Sequence, residues 1–188
     1  RKGALKMSSK KNFEELGFTK ISPSILDKDD NVNPFKMVGK DWMLVTAGDE
    51  NGWNTMTASW GFMGVMWGKN AAVTVIRPQR YTKKFIDSSE YFTLSFFGEE
   101  YRSALAFCGK YSGRDKDKAA ETGLVPVFAD NAVSFEQAET IIVCRKLYVQ
   151  DMKPECFSDK TCDEKWYPDK DYHTAYIGEI TAMYRREK

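Results

Sequence analysis

The feature that most constrains this chain is a succession of six segments rich in β-branched, aromatic and aliphatic residues, at positions 42–47, 55–60, 71–77, 91–97, 140–150 and 173–184. Such side chains suit the half-buried, pleated surface of a sheet, so each segment reads as a strand. The first two are separated by GDENGW, a turn with two glycines and three polar side chains. That turn predicts a hairpin and hence antiparallel pairing. Helical patterning is confined to short pieces: a helix capped by Thr82 and running through Phe85 and Ile86, another over 99–107 carrying Tyr101, Leu105 and Phe107, and a polar turn at 115–121. Strand–helix–strand alternation does not recur. The favoured architecture is therefore mainly β, an antiparallel barrel with short helices.

The chain of 188 residues is long enough to bury a genuine core within one domain. Residues 1–32 read as an N-terminal tail and arm, and residues 33–188 as the folded domain. Within the first part, Arg1, Lys2, Lys6, Lys10 and Lys11 read as a solvated basic tail. Phe13, Leu16 and Phe18 suggest a short helix or an arm, and the Pro, Asp, Asn and Ser of 23–34 an irregular connection. Residues 151–172, with Pro154, Pro168 and many charges, read as a long excursion before the last strand.

Lys and Arg total 28 against 27 Asp and Glu, a balance that argues against nucleic acid or an anionic membrane as partner. There is no run of roughly 18 apolar residues and no apolar secretory segment, so a cytoplasmic protein is expected. The four cysteines, Cys108, Cys144, Cys156 and Cys162, never form Cys-x-x-Cys, and no metal site is expected. Reduced thiols are the default, with a Cys156–Cys162 bridge the alternative in an oxidising compartment.

Four segments could carry chemistry. In NTMTASWGFMGVMWGK, residues 54–69, the small residues Thr57, Ala58, Ser59, Gly61 and Gly64 leave backbone amides open, and Trp60 and Trp67 offer flat surfaces suited to a planar heteroaromatic ligand. The same residues would equally serve as a strand edge and glycine turn whose tryptophans fill the core. In IRPQRYTKKFI, residues 76–86, Arg77 or Arg80, the Thr82 hydroxyl and a helix start suit a monophosphate, although both arginines could instead be ordinary surface charges.

In CGKYSGRDKDK, residues 108–118, Gly109 and Gly113 flank Lys110 and Ser112. With Arg114, these could hold a phosphate or a ribityl chain, or form a plain polar loop. In DYHTAYIGEI, residues 171–180, alternation places His173, Ala175, Ile177 and Glu179 on one face and Thr174, Tyr176, Gly178 and Ile180 on the other. His173, the sole histidine, is either an ordinary polar residue or a group that meets a nicotinamide, a flavin carbonyl or a phosphate.

Taken in order, MTASWG, RPQRYT, CGKYSGRDKDK and DYHTAYIGEI resemble the flavin reductase-like family, FMN-binding split barrels that include the flavoredoxins. The resemblance spans roughly residues 33–184. It implies an antiparallel Greek-key split β-barrel and a homodimer with FMN near the subunit interface. Carried over, it puts Thr57, Ala58, Ser59 and Trp60 along the isoalloxazine and ribityl chain, and Arg77, Arg80, Tyr81 and Thr82 around the phosphate. Lys110 and Ser112 would close over the cofactor, and His173 is the candidate catalytic residue. The implied activity is hydride transfer from NADH or NADPH to flavin. A flavoredoxin-like carrier, its tightly bound FMN reduced by a redox protein partner, is the alternative. A non-redox barrel, with the aromatics as core, is the third.

Overall fold

The computed structural model describes residues 12–22 and 33–186. The basic tail and most of the 23–34 connection lie outside these residues. All six expected strands are present, as β2 (Met43–Asp49), β3 (Gly52–Ala58), β5 (Lys69–Ile76), β6 (Tyr91–Phe96), β9 (Thr140–Asp151) and β10 (Thr174–Arg186). Four more join them: β1 (Phe18–Ile21), β4 (Gly61–Met66), β7 (Pro126–Ala129) and β8 (Ala132–Phe135). The GDENGW turn closes the β2–β3 hairpin, with Asp49 opposite Gly52.

Every strand pair is antiparallel, and the main sheet runs β3-β2-β6-β9-β10-β5-β4, with β1 also on β10. β3 and β4 stand at opposite ends of this path, yet only Ser59 and Trp60 separate them. Three Cα–Cα steps span at most about 11 Å, so the two outer strands must come together there. The sheet therefore curls on itself into a barrel that stays split along the β3–β4 seam.

Through β2, β6 and the first half of β9 both faces of the curled sheet are covered. In β2, Val45 and Ala47 join a cluster with Phe92, Leu94 and Tyr176, whereas Leu44 joins one with Leu105, Phe135 and Ile141. β9 divides the same way, Ile142 and Cys144 against Ile141 and Val143. The period-two alternation thus feeds two cores, one inside the barrel and one beneath the outer elements. Phe13 and Phe18 enter the second core, with Phe13 4.7 Å from the Tyr184 ring. The expected arm is therefore docked through β1 and contributes to the sheet. On β10, Thr174, Tyr176, Gly178 and Ile180 are the buried face, and a Cβ at Gly178 would lie 2.8 Å from Cys144 and the Phe92 ring.

Among the described residues five α-helices decorate the barrel: α1 (Pro34–Lys36), α2 (Thr82–Ser88), α3 (Arg102–Lys110), α4 (Lys118–Thr122) and α5 (Lys160–Trp166). One expectation needs correction. Thr82 is not the cap of α2, because Tyr81 holds that position and no side chain caps the helix. Thr82 is the first helical residue and is buried against β3. The excursion at 151–172 is also more ordered than its sequence suggests. It contains α5, started by Asp159 through a bond from the Thr161 amide.

Candidate functional site

The first three sequence segments meet along the open edge of β3. Asn54 donates from Nδ2 to Thr82 Oγ1 at 2.8 Å, tying β3 to the start of α2. The Thr57 hydroxyl donates to the Leu105 carbonyl, which fastens α3 to the same strand. Gly113 is seated so tightly that a Cβ there would fall 2.0 Å from Asn54 Oδ1 and 3.2 Å from the Tyr81 ring. Only glycine permits that approach. Arg80 reaches the end of α3, donating to the Gly109 carbonyl at 2.6 Å. Arg114 stacks over Tyr81 at 4.7 Å and donates to the Gln79 carbonyl.

Arg77, by contrast, turns toward the 151–172 excursion. It forms an ion pair with Asp171, donates to the Trp166 carbonyl at 2.8 Å and lies 5.1 Å over the Tyr167 ring. Gln79 donates to the other Asp171 oxygen at 2.7 Å. His173 sits behind this contact, 8% exposed, sharing a 2.8 Å hydrogen bond between Nδ1 and the Tyr167 hydroxyl. Its ring lies 5.3 Å from Trp60, and Trp60 in turn meets Trp166 edge-on at 5.0 Å. Trp60 and Trp67 are 37% and 59% exposed, so the alternative in which they fill the core does not hold.

Ser59 and Trp60 lie on the seam itself, beside half-buried Thr57 and buried Ala58. Lys110 is exposed with its ammonium over Tyr111, and the Ser112 hydroxyl accepts from the Arg114 amide at 3.1 Å. These two stand beside the cluster and make no direct bond to Arg80. Residues the sequence reading passed over are as prominent: Asn54, Asp171, Trp166, Tyr167 and Lys118. Asn54 and Asp171 open their segments, but their partners are distant in sequence and leave no local signal. For Lys118 the only local cue is Asp117, whose side chain accepts from Ala120 and starts α4.

The electrostatics are those of a cation-rich end. Burial, and then the Arg77 charge, pull the Arg80 guanidinium below its ordinary value. An arginine stays protonated in a protein, so this is a charge held at a cost. Burial, with Arg77 and Arg80 adding to it, pushes His173 down to about 4, leaving a neutral imidazole at pH 7. Burial likewise lowers Lys118 to about 8 and raises the Cys108 thiol to about 11. Among the described residues neither Arg80 nor Lys118 has a carboxylate partner. Arg80 has one donor on Gly109, and its remaining guanidinium donors take no described acceptor. Buried and half-buried cations without described carboxylate partners, at the end of α3 beside the closely approached Gly113, fit the phosphate monoester of a ligand.

Two clefts are lined by the described residues near the β2–β3 turn. One of about 510 Å³ is lined by the β2–β3 turn together with Asn54, Gly113, Arg114 and Lys118, and so adjoins the phosphate-compatible turn. The other, about 770 Å³, lies between the β2–β3 turn, the end of α2 and the β7–β8 turn, with Glu50, Glu90 and Asp130 on its walls. None of the candidate site residues named from sequence lines it.

Comparison with solved structures places this architecture among known flavoproteins. The flavoredoxin from Methanosarcina acetivorans matches at 18% identity with a TM-score of 0.61, covering 85% of this chain and 74% of its own. The flavoredoxin of Desulfovibrio vulgaris (Miyazaki F) matches at 23% identity and a TM-score of 0.61, over 78% of this chain and 69% of its own. The NADH:FAD oxidoreductase of Streptomyces globisporus C-1027, solved with NAD and FAD fragments, is 15% identical with a TM-score of 0.57, covering 77% and 74%. At such identities the likeness establishes the fold. No curated protein gives a significant match. The model of the flavin reductase like domain, however, matches residues 37–188, from the turn that leads into β2 through the end of the barrel. On that match and this fold, the chain belongs to the flavin reductase-like family.

Proposed function

We propose that the protein binds FMN at the β3–β4 seam and works as an NAD(P)H-dependent flavin oxidoreductase. The observation that carries this reading is Arg80, a half-buried cation in the turn between β5 and α2 that reaches the Gly109 carbonyl and has no carboxylate partner among the described residues. A phosphate monoester supplies the missing negative charge. Arg80, Tyr81 and Thr82 would hold the phosphate, with Lys110 and Ser112 beside them, and Thr57, Ala58, Ser59 and Trp60 would border the ring and ribityl chain. Arg77 would contribute to the positive field while remaining paired with Asp171.

Bound FMN would supply hydride chemistry from a reduced nicotinamide. The chain's own work is placement. Backbone and indole surfaces orient the ring, the cations hold the phosphate, and the curled sheet excludes water from below. His173 enters as a neutral group: its Nδ1 is engaged with Tyr167, which leaves Nε2 as the nitrogen able to meet an incoming ligand. Its removal should slow turnover without abolishing flavin binding.

A homodimer would complete the site. The edge strand β4 and its turn expose Phe62, Val65 and Trp67 to 63, 76 and 59%, an apolar band beside the seam suited to a second copy.

The test is the visible absorbance of the purified protein, before and after FMN is added, followed by anaerobic addition of NADH and of NADPH. Flavin binding with bleaching by a nicotinamide is the expected result. A protein that remains colourless and cannot be loaded sinks the flavin reading. Tight FMN reduced by a protein donor but by neither nicotinamide would make the protein an electron carrier.

A further inference from the structure

Lys118 is the one lysine or arginine fully buried among the described residues, 6% exposed, and nothing in the proposed chemistry calls for it. It begins α4, yet its side chain runs inward. Its Nζ donates to the Thr55 carbonyl at 2.7 Å and to the Cys108 carbonyl at 2.8 Å. Thr55 belongs to β3, a strand paired on one side only. Cys108 lies in the last turn of α3, where the helical ladder stops at the bond from Tyr111 to Phe107. The next carbonyl, that of Gly109, is taken by Arg80. Two cations from different elements therefore close the C-terminal end of α3, where the helix dipole favours positive charge. Of the three ammonium donors, two are used, and no described residue accepts the third.

We infer that Lys118 is a positioning residue for the flavin phosphate. Its charge clasps the end of α3 and the 110–117 loop onto the open edge of β3, and so keeps Arg80 and Gly113 in register with the phosphate turn. This deepens the flavin reading above and rests on it. The groups facing Lys118 are Cys108 from α3, which stays protonated because burial raises it to about 11, and Arg80 from the β5–α2 turn, which stays charged. Asp117, on its own element, is occupied with the Ala120 amide. Lys118 is thus the group near the phosphate turn whose charge changes around pH 8.

The test measures FMN and riboflavin affinity from pH 7 to 9 for the full chain, with Lys118→Met and Lys118→Arg. A phosphate monoester is already largely dianionic at pH 7, so its own titration would not weaken binding over this range. For the wild type, FMN affinity should fall about three- to tenfold over the range while riboflavin affinity stays level. Lys118→Met should lose about tenfold for FMN at pH 7 and be insensitive to pH. Lys118→Arg should stay within about threefold of wild type at pH 7 and also be flat, because its charge persists.

Amide exchange without flavin provides an arm independent of ligand. In Lys118→Met, residues 109–117 should exchange about tenfold faster while β6 and β9 hold. FMN binding by Lys118→Met with wild-type affinity and pH profile would overturn the inference and leave the function standing. Equal loss of FMN and riboflavin with faster exchange throughout would also overturn it, as a role in folding alone. A wild-type protein that binds neither flavin would instead overturn the functional reading, and the exchange result would then decide the clasp by itself.

Discussion

Arg77 and Arg80 leave the same end of β5 in one turn and feel each other's charge, yet their side chains go to different partners. Arg77 goes to the excursion, where Asp171 neutralises it and the Trp166 carbonyl takes a second donor. Arg80 goes to α3, where it finds a carbonyl and no carboxylate. From sequence both suit a phosphate equally. The difference teaches that a cation's availability depends on what meets it: a paired guanidinium fixes local structure, whereas one with only a carbonyl partner keeps its attraction for an anion.

The sharpest way to break this contrast is to remove each arginine in turn. Arg80→Ala should weaken FMN about 10- to 100-fold, the cost of a lost charge-assisted bond, and riboflavin much less. Arg77→Ala should cost FMN under about fivefold while raising proteolysis within residues 152–172. The reverse ranking, read by fluorescence titration, would return the phosphate to Arg77.

The excursion side can also be probed through pH. His173 has an ordinary value of 6.5 and a folded value of about 4, so the fold favours the neutral ring. The stability this contributes is present above pH 6.5 and lost as pH falls toward 4. Between pH 7 and 5 the loss should approach about 2 kcal/mol, seen in urea unfolding and removed in His173→Gln. An unchanged slope in that variant would assign the acid sensitivity elsewhere.

On the α3 side, Gly113→Ala should destabilise by about 1–2 kcal/mol and loosen FMN, because the new methyl must displace Asn54 and with it the bond to Thr82. Wild-type thermal stability and affinity in that variant would show that the loop yields without consequence. The smallest effect is expected for Asp171→Asn, about 1 kcal/mol or less, since both partners of the Arg77 pair keep some solvent contact. It should also free Arg77, and a gain in FMN affinity there would narrow the contrast between the two arginines.

The strands were the most legible part of the chain, for a local reason. In β2 and β9 successive side chains enter opposite cores, so the apolar composition was dense enough to announce a strand. β4 and β7 escaped notice because few of their residues are buried, leaving composition without a pattern. The α5 helix was hidden in a charged stretch with exposed faces and no apolar stripe. At the site, residue types and order pointed to the turn at 77–82 and the glycine loop at 109–113. They did not separate Arg77 from Arg80, did not find Lys118, and misassigned Thr82 as a cap.

What the sequence by itself determined were properties carried by neighbours along the chain: which segments extend, where the β2–β3 hairpin turns, and which short motifs hold cations beside glycine. What only the tertiary structure decided were the partners. The Arg77–Asp171 pair joins residues 94 apart, and the Lys118 bond to Thr55 joins residues 63 apart. The meeting of β3 and β4 at Ser59 and Trp60 follows from the order of the whole sheet. Local patterns report whether a residue lies on a buried face. Which charge stays unpaired depends on closing the sheet and docking α3 and the excursion against it, and no window of sequence contains those contacts.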